Sequence, residues 1–173
     1  MKNIVLIGFM GSGKSTVGKM LATELKLPFL DTDDLVEARA GRAIKDIFKA
    51  EGEDRFRILE KEVVKEVSLR PSQVIACGGG VVLDDENTHS LKENGVLVYL
   101  KVSPSVACQR TEVSNDRPLL KGSRRQETIE KLLCAREEIY EKVADFAVST
   151  SILTPEQAVE EIEKKLKQRG IIS

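Results

Sequence analysis

A chain of 173 residues, 41% hydrophobic and 32% charged, has the size of one domain and enough apolar material for a sizeable core. Its 27 Lys and Arg residues against 28 Asp and Glu give a net charge of -1, which supplies no global field to draw nucleic acid or an anionic membrane, so any anion selectivity must be local. No apolar run approaches the ~20 residues of a membrane span, and a first strand expected directly after Met1-Lys2-Asn3 leaves no room for a leader; a cytoplasmic enzyme with no obligate protein partner is expected.

The first element is an apolar run, Ile4 to Ile7, suited to a buried strand. Gly8 to Ser15 follow it as G-F-M-G-S-G-K-S, a full match to the phosphate-loop pattern G-x-x-x-x-G-K-[ST]. A strand that breaks into a glycine-rich turn and then a helix aims several backbone N–H groups into one small space, at the positive end of a helix dipole. Gly8, Gly11 and Gly13 let the backbone pass close to a polyphosphate. Lys14 can reach the β and γ phosphates, the Ser15 hydroxyl can hold Mg²⁺, and Thr16 offers another hydroxyl. Val17, Met20, Leu21 and Leu25 then carry helical spacing, so the motif sits in the context it needs to bind a nucleotide.

A second strand, Phe29 to Asp31, ends beside Asp31 and Asp33. A period of two sends both carboxylates toward the phosphate loop, where one can serve Mg²⁺ through water and the other meet a hydroxyl; alternatively Asp33 or Asp34 caps a helix Leu35 to Ala40. Gly52 to Glu60, G-E-D-R-F-R-I-L-E, places Arg57 three residues before Glu60, which can brace its guanidinium unless the arginine merely solvates a helix face. Phe56, Leu59, Val63 and Val67 form the apolar stripe of that helix.

Strand Val74 to Cys77 runs into Gly78, Gly79 and Gly80, three glycines able to expose backbone N–H groups to a small polar ligand, or else a flexible turn. Cys77, Cys108 and Cys134 are an odd number without a C-x-x-C pair, so they read as reduced thiols, Cys77 as buried filler. The one histidine, His89, lies among acidic residues in a solvated loop or helix start. A fourth strand spans Val96 to Leu100. Thr111 to Arg125 is polar and basic, holds Pro118 and Gly122, and reads as a long surface loop of the functional or disordered kind.

Arg136 falls on the apolar stripe of Ile129, Leu132, Leu133, Ile139, Tyr140 and Val143, where a charge needs a partner; a bound carboxylate or an acidic residue of the sheet would serve. Phe146 to Val148 form a fifth strand, and Thr154-Pro155-Glu156 open a final helix with Ala158, Val159, Ile162 and Leu166 inward. Strands alternating with helices imply an α/β parallel sheet covered on both faces, with ligands beyond the carboxyl ends of its strands.

Taken in order, G-F-M-G-S-G-K-S-T, F-L-D-T-D-D-L-V-E, G-E-D-R-F-R-I-L-E, I-A-C-G-G-G-V-V, R-P-L-L and R-E-E-I-Y resemble the shikimate kinases over nearly the whole chain. Only the first motif is specific by itself; their combination at matching spacing is highly so. The resemblance implies a phosphate-loop NTPase of the nucleoside-monophosphate-kinase-like type, a three-layer fold with five parallel strands in the order 2-3-1-4-5, formed by residues 1–173 as one domain. It also implies a substrate-binding segment at about 32–60 and a lid at about 111–125. The implied reaction is ATP-dependent phosphorylation of the shikimate 3-hydroxyl, with Mg²⁺ as cofactor and no nucleic-acid or membrane partner.

By the same resemblance, Asp33 is ligand and base for the ring hydroxyls, while Arg57 and Arg136 take the shikimate carboxylate. Gly78, Gly79 and Gly80 line the ring site with backbone contacts from the last two. Gly11, Ser12, Gly13, Lys14, Ser15 and Thr16 hold the nucleotide; Lys14 and Arg117 stabilise the transferring phosphoryl group. Ser15 ligates Mg²⁺, with Asp31 acting through water, and Arg110 and the segment 150–155 flank the adenine. Cys77 departs from the Ser or Thr more often found before these glycines, which puts in doubt a hydrogen bond to the metal's waters. A gluconate-kinase-like enzyme would share the phosphate loop but has no reason to combine Arg57, Arg136 and the glycine triplet, and a catalytically dead relative would have lost Lys14, Asp33 or Arg117.

Overall fold

The computed structural model describes residues 1–111 and 125–173, Arg125 by its backbone alone. Five strands form one sheet: β1 (Asn3–Ile7), β2 (Phe29–Asp31), β3 (Val74–Ala76), β4 (Gly95–Lys101) and β5 (Phe146–Ser149). They lie in the order β2-β3-β1-β4-β5 and every pairing is parallel, so the expected fold class and strand order are both observed. All five residues of the central strand β1 are buried, as a sheet covered on both faces requires.

The two-residue period of β1 divides the core. Val5 and Ile7 point into a cluster with Ile75, Leu97 and Tyr99, while Ile4 and Leu6 join Val74, Val98 and Leu100 on the other face. The second face is closed by α1 (Lys14–Leu25) and α7 (Pro155–Gln168) through Val17, Leu21, Ala158, Ile162 and Leu166. The first is closed by α2 (Thr32–Ala40), α3 (Ile44–Ser68), α4 (Asp85–Asn94), α5 (Pro104–Thr111) and α6 (Arg125–Val143). Helix α7 begins as its sequence demands: the Thr154 side chain accepts from the Gln157 N–H, Gln157 reaches back to the Thr154 N–H, and Pro155 occupies the first helical turn.

One expectation is corrected and one alternative excluded. Thr111 is not loop: it ends α5, is buried, and its hydroxyl bonds back to the Ala107 carbonyl at 2.7 Å. Arg125, at the other end of the expected loop, begins α6, and the rest of the expected lid, 112–124 with Arg117, lies outside the described residues. Asp33 and Asp34 do not cap α2 either. The strand stops at Asp31, whose own carboxylate accepts the Asp33 N–H at 3.0 Å and serves as the cap, so Asp33 belongs to the first helical turn.

Because all strands run the same way, their carboxyl ends share one edge. Onto it emerge the loop after β1, the Asp31–Thr32 junction after β2, the glycine turn after β3, and Thr150 after β5. Thr32 ties two of these together, its hydroxyl accepting the Gly78 N–H at 2.9 Å across 46 positions of sequence.

Candidate active site

A cleft of about 890 Å³ opens on that edge, within the size range of small-molecule sites. The phosphate loop forms its floor. Gly13, with φ at 90°, caps α1 in a left-handed conformation that a side chain would strain, and α1 then starts at Lys14 with its N–H groups facing the loop. Gly11, Gly13, Lys14, Ser15 and Thr16 line the cleft, whereas Ser12 is fully buried beneath it. The Lys14 ammonium lies over the loop, donating to the Gly8 and Phe9 carbonyls at 2.8 and 3.0 Å.

On one side the Ser15 hydroxyl donates to Asp31 Oδ2 at 2.6 Å, pairing the two residues expected around a metal. No group of three or more His, Cys, Asp or Glu suited to a metal occurs among the described residues, so a divalent ion here would draw most of its ligands from phosphate and water, as Mg²⁺ does. Asp33, Asp34 and Glu37 continue this wall. Burial, with Asp31 nearby, raises the Asp34 carboxyl above its ordinary value.

A further part of the lining is built around Arg57. Its guanidinium donates to Glu60 Oε2 at 2.8 Å and, through Nε and Nη2, to Glu53 Oε1 at 3.2 and 2.9 Å. The guanidinium lies over the Phe56 ring, its carbon 5.1 Å from the centroid. The expected brace from Glu60 is therefore present, and Glu53 is a second one that the sequence reading did not name; it lies one helical turn before Arg57, the spacing that could have revealed it. Glu60 is only 2% exposed. Desolvation raises its carboxyl pKa against the opposing pull of Arg57, and its Oε1 has no hydrogen-bond partner among the described residues.

The glycine triplet has a steric role beyond exposing backbone. A Cβ on Gly80 would stand 2.5 Å from Arg57 Nη1, and one on Gly78 would stand 2.5 Å from Asp33 Oδ1. The absent side chains make room for the two residues expected to meet substrate. Arg136, from α6, lines the same cleft and forms no ion pair with any described carboxylate; the acidic partner that the sheet could have supplied is not there among the described residues. Lys45 and Phe48, which no motif singled out, complete the lining beside Phe56.

Arg110 lies at the far end of the loop. It donates to the Gly11 carbonyl at 3.2 Å and to the Thr150 carbonyl at 2.7 Å, joining α5, the phosphate loop and the segment after β5. Cys77 is buried and its thiol is pushed far up by desolvation, which fits inert filler, although it touches the cleft. Among the described residues all three cysteines are free, and His89 is exposed on α4 beside Glu93.

Comparison with known proteins points to one family. The family model for shikimate kinase matches residues 10–167. A shikimate kinase of Thermodesulfovibrio yellowstonii is 46% identical over 168 residues, covering 97% of this chain and 96% of its own. One from Pelotomaculum thermopropionicum is 45% identical over 172 residues, with 99% of each covered. Among solved structures, shikimate kinase from Acinetobacter baumannii in complex with shikimate superposes with a TM-score of 0.95 at 34% identity, over 99% of this chain and 96% of that one. The Aquifex aeolicus shikimate kinase gives 0.86 at 40% identity, with 98% of each chain covered. A phosphate loop facing two arginines across a glycine turn, in this sheet order and at this level of identity over the full length, places the chain in the shikimate kinase family.

Proposed function

We propose that this protein catalyses ATP-dependent phosphorylation of the 3-hydroxyl of shikimate, giving shikimate 3-phosphate and ADP on the way to chorismate and the aromatic amino acids. The observation that carries the reading is one cleft in which the phosphate loop faces Asp33, Arg57, the glycine turn and Arg136. Shikimate offers a matching set of groups, a carboxylate and ring hydroxyls.

Arg57 and Arg136 take the carboxylate. Arg57 is already oriented by Glu53 and Glu60, so less of its side-chain freedom remains to be lost on binding. Asp33 lies where a ring hydroxyl can reach it, and its carboxylate accepts the proton as the 3-oxygen attacks the γ-phosphorus. The bond from that phosphorus to the β,γ-bridging oxygen breaks, and ADP leaves with the electron pair. Lys14 exchanges the Gly8 and Phe9 carbonyls for phosphate oxygens and offsets their charge. Ser15 would hold Mg²⁺, with Asp31 bonding its waters; that ion, when present, neutralises charge on the β and γ phosphates.

Arg110 and the segment 150–155 flank the adenine in this reading, supported by the contacts of Arg110 with Thr150. Arg117 keeps its role on the transferring group, and 112–124 that of lid, on sequence alone. The substrate segment 32–60 is supported by Asp33, Phe56, Arg57 and Glu60 lining one cleft. The cytoplasmic assignment fits three free thiols. Arg136→Lys is the test: it keeps the charge but loses the planar fork, and should raise the shikimate KM about tenfold or more while leaving nucleotide binding intact. An unchanged KM would remove the carboxylate assignment.

A further inference from the structure

Gly78 to Val81 make a β-turn, closed by the Val81 N–H donating to the Gly78 carbonyl at 3.1 Å, with Gly79 and Gly80 as its central pair. Gly80 has φ -100° and ψ -5°, which are third-residue values of a type I turn; a type II turn needs φ near about +80° there. Glycine tolerates either. The two types differ by a flip of the central peptide, and because a trans peptide points its C=O and N–H in opposite directions, the flip exchanges the Gly79 carbonyl with the Gly80 N–H. A glycine pair therefore leaves open which of the two faces the cleft.

Tyr140 is placed to decide. Its hydroxyl donates to the Gly79 carbonyl at 2.5 Å, the one hydrogen bond to that oxygen among the described residues. The ring is 1% exposed and stacked on Tyr99, with centroids 5.0 Å apart and planes 22° from parallel, so the hydroxyl is held by packing. Burial pushes the phenol up to about 12, against the pull of Arg136, so it remains a proton donor across the neutral range. The Arg136 guanidinium, one helical turn earlier on α6, lies close enough to the same hydroxyl to oppose that rise. The Gly80 N–H has no hydrogen-bond partner among the described residues, and Gly80 lines the cleft.

We propose that the Tyr140 hydroxyl is a positioning group for the acceptor subsite: it locks the Gly79–Gly80 peptide with the Gly80 N–H turned toward the cleft, and it steadies Arg136. One packed phenol thereby sets two donors to the acceptor, a backbone N–H and a guanidinium. The proposal rests on the shikimate reading of this site. Without the hydroxyl the turn is free to flip, and a flipped peptide would present a carbonyl where an anionic or hydroxylated acceptor needs a donor.

Tyr140→Phe keeps the ring and its stack and removes only the hydroxyl. Steady-state kinetics of wild type and variant should show the shikimate KM raised about 5- to 50-fold. The ATP KM should stay within about twofold and the melting temperature should hold within a few degrees. Tyr99→Phe, which takes a hydroxyl from the other ring of the same stack, should leave the shikimate KM unchanged. An unaltered shikimate KM in Tyr140→Phe, or equal rises in both KM values together with a lowered melting temperature, would overturn the proposal and leave Tyr140 as packing. A wild type that does not turn over shikimate would instead overturn the functional reading on which the proposal stands.

Discussion

Glu60 is the residue whose chemistry departs most from its surroundings. It is buried against Arg57, with one carboxylate oxygen unpaired among the described residues. Burial raises its pKa above the ordinary 4.5, so in that range the folded chain binds a proton that the unfolded chain has released. Stability therefore falls as pH climbs from about 4.5 through the folded value. Glu60→Gln should flatten this slope in urea denaturation at a series of pH values, and an identical slope in the variant would assign it to other groups. Asp33 gives a kinetic counterpart. Asp33→Asn keeps the shape and removes the base, so kcat should fall about 10²- to 10⁴-fold while nucleotide titration is unaffected; near-normal turnover would reduce Asp33 to an orienting ligand. The two aspartates also show how a residue can be legible for a mistaken reason. An alternation of two placed Asp31 and Asp33 on one side, yet the strand ends at Asp31 and the side chains converge because Asp31 caps the helix that carries Asp33. What Gly78 and Gly80 make room for was not legible, since it depends on side chains arriving from other elements.

Among the elements, α3 carries the acceptor wall and depends on a bend. Gly52 has φ 82° and ψ 179°, a region open to glycine and closed to other residues, while a Cβ there would meet nothing within 4 Å. The need is therefore conformational, not spatial. Gly52→Ala should cost about 1–3 kcal/mol in chemical denaturation, and by redirecting the turn that holds Glu53 and Arg57 it should raise the shikimate KM. Full stability in the variant would mean that the bend is adaptable. Helix α7 was legible from its cap to its apolar stripe because both signals are local. Helix α5 was not: its eight residues bury little beyond Ala107 and Thr111, too few to show a period, and Arg110 owes its place to that helix.

For the whole molecule, five apolar runs separated by helical stretches predicted a parallel sheet, and the edge on which the site had to lie followed from that. The order of the strands did not follow from spacing; it came with the family resemblance, because connections alone leave several orders open. Lys14 links this scale to the nucleotide. Mg-ATP at about 100 times its dissociation constant should stabilise the fold by roughly 2.7 kcal/mol, read as a melting shift that Lys14→Ala largely loses. An equal shift in that variant would place the nucleotide elsewhere.

The central claim is tested most directly by coupled ADP release with Mg-ATP over a panel of hydroxy acids that includes shikimate and gluconate, with the product identified by mass. The account predicts release that depends on shikimate and yields one equivalent of shikimate 3-phosphate per ADP. ADP release that ignores shikimate, or turnover that favours gluconate, would contradict it.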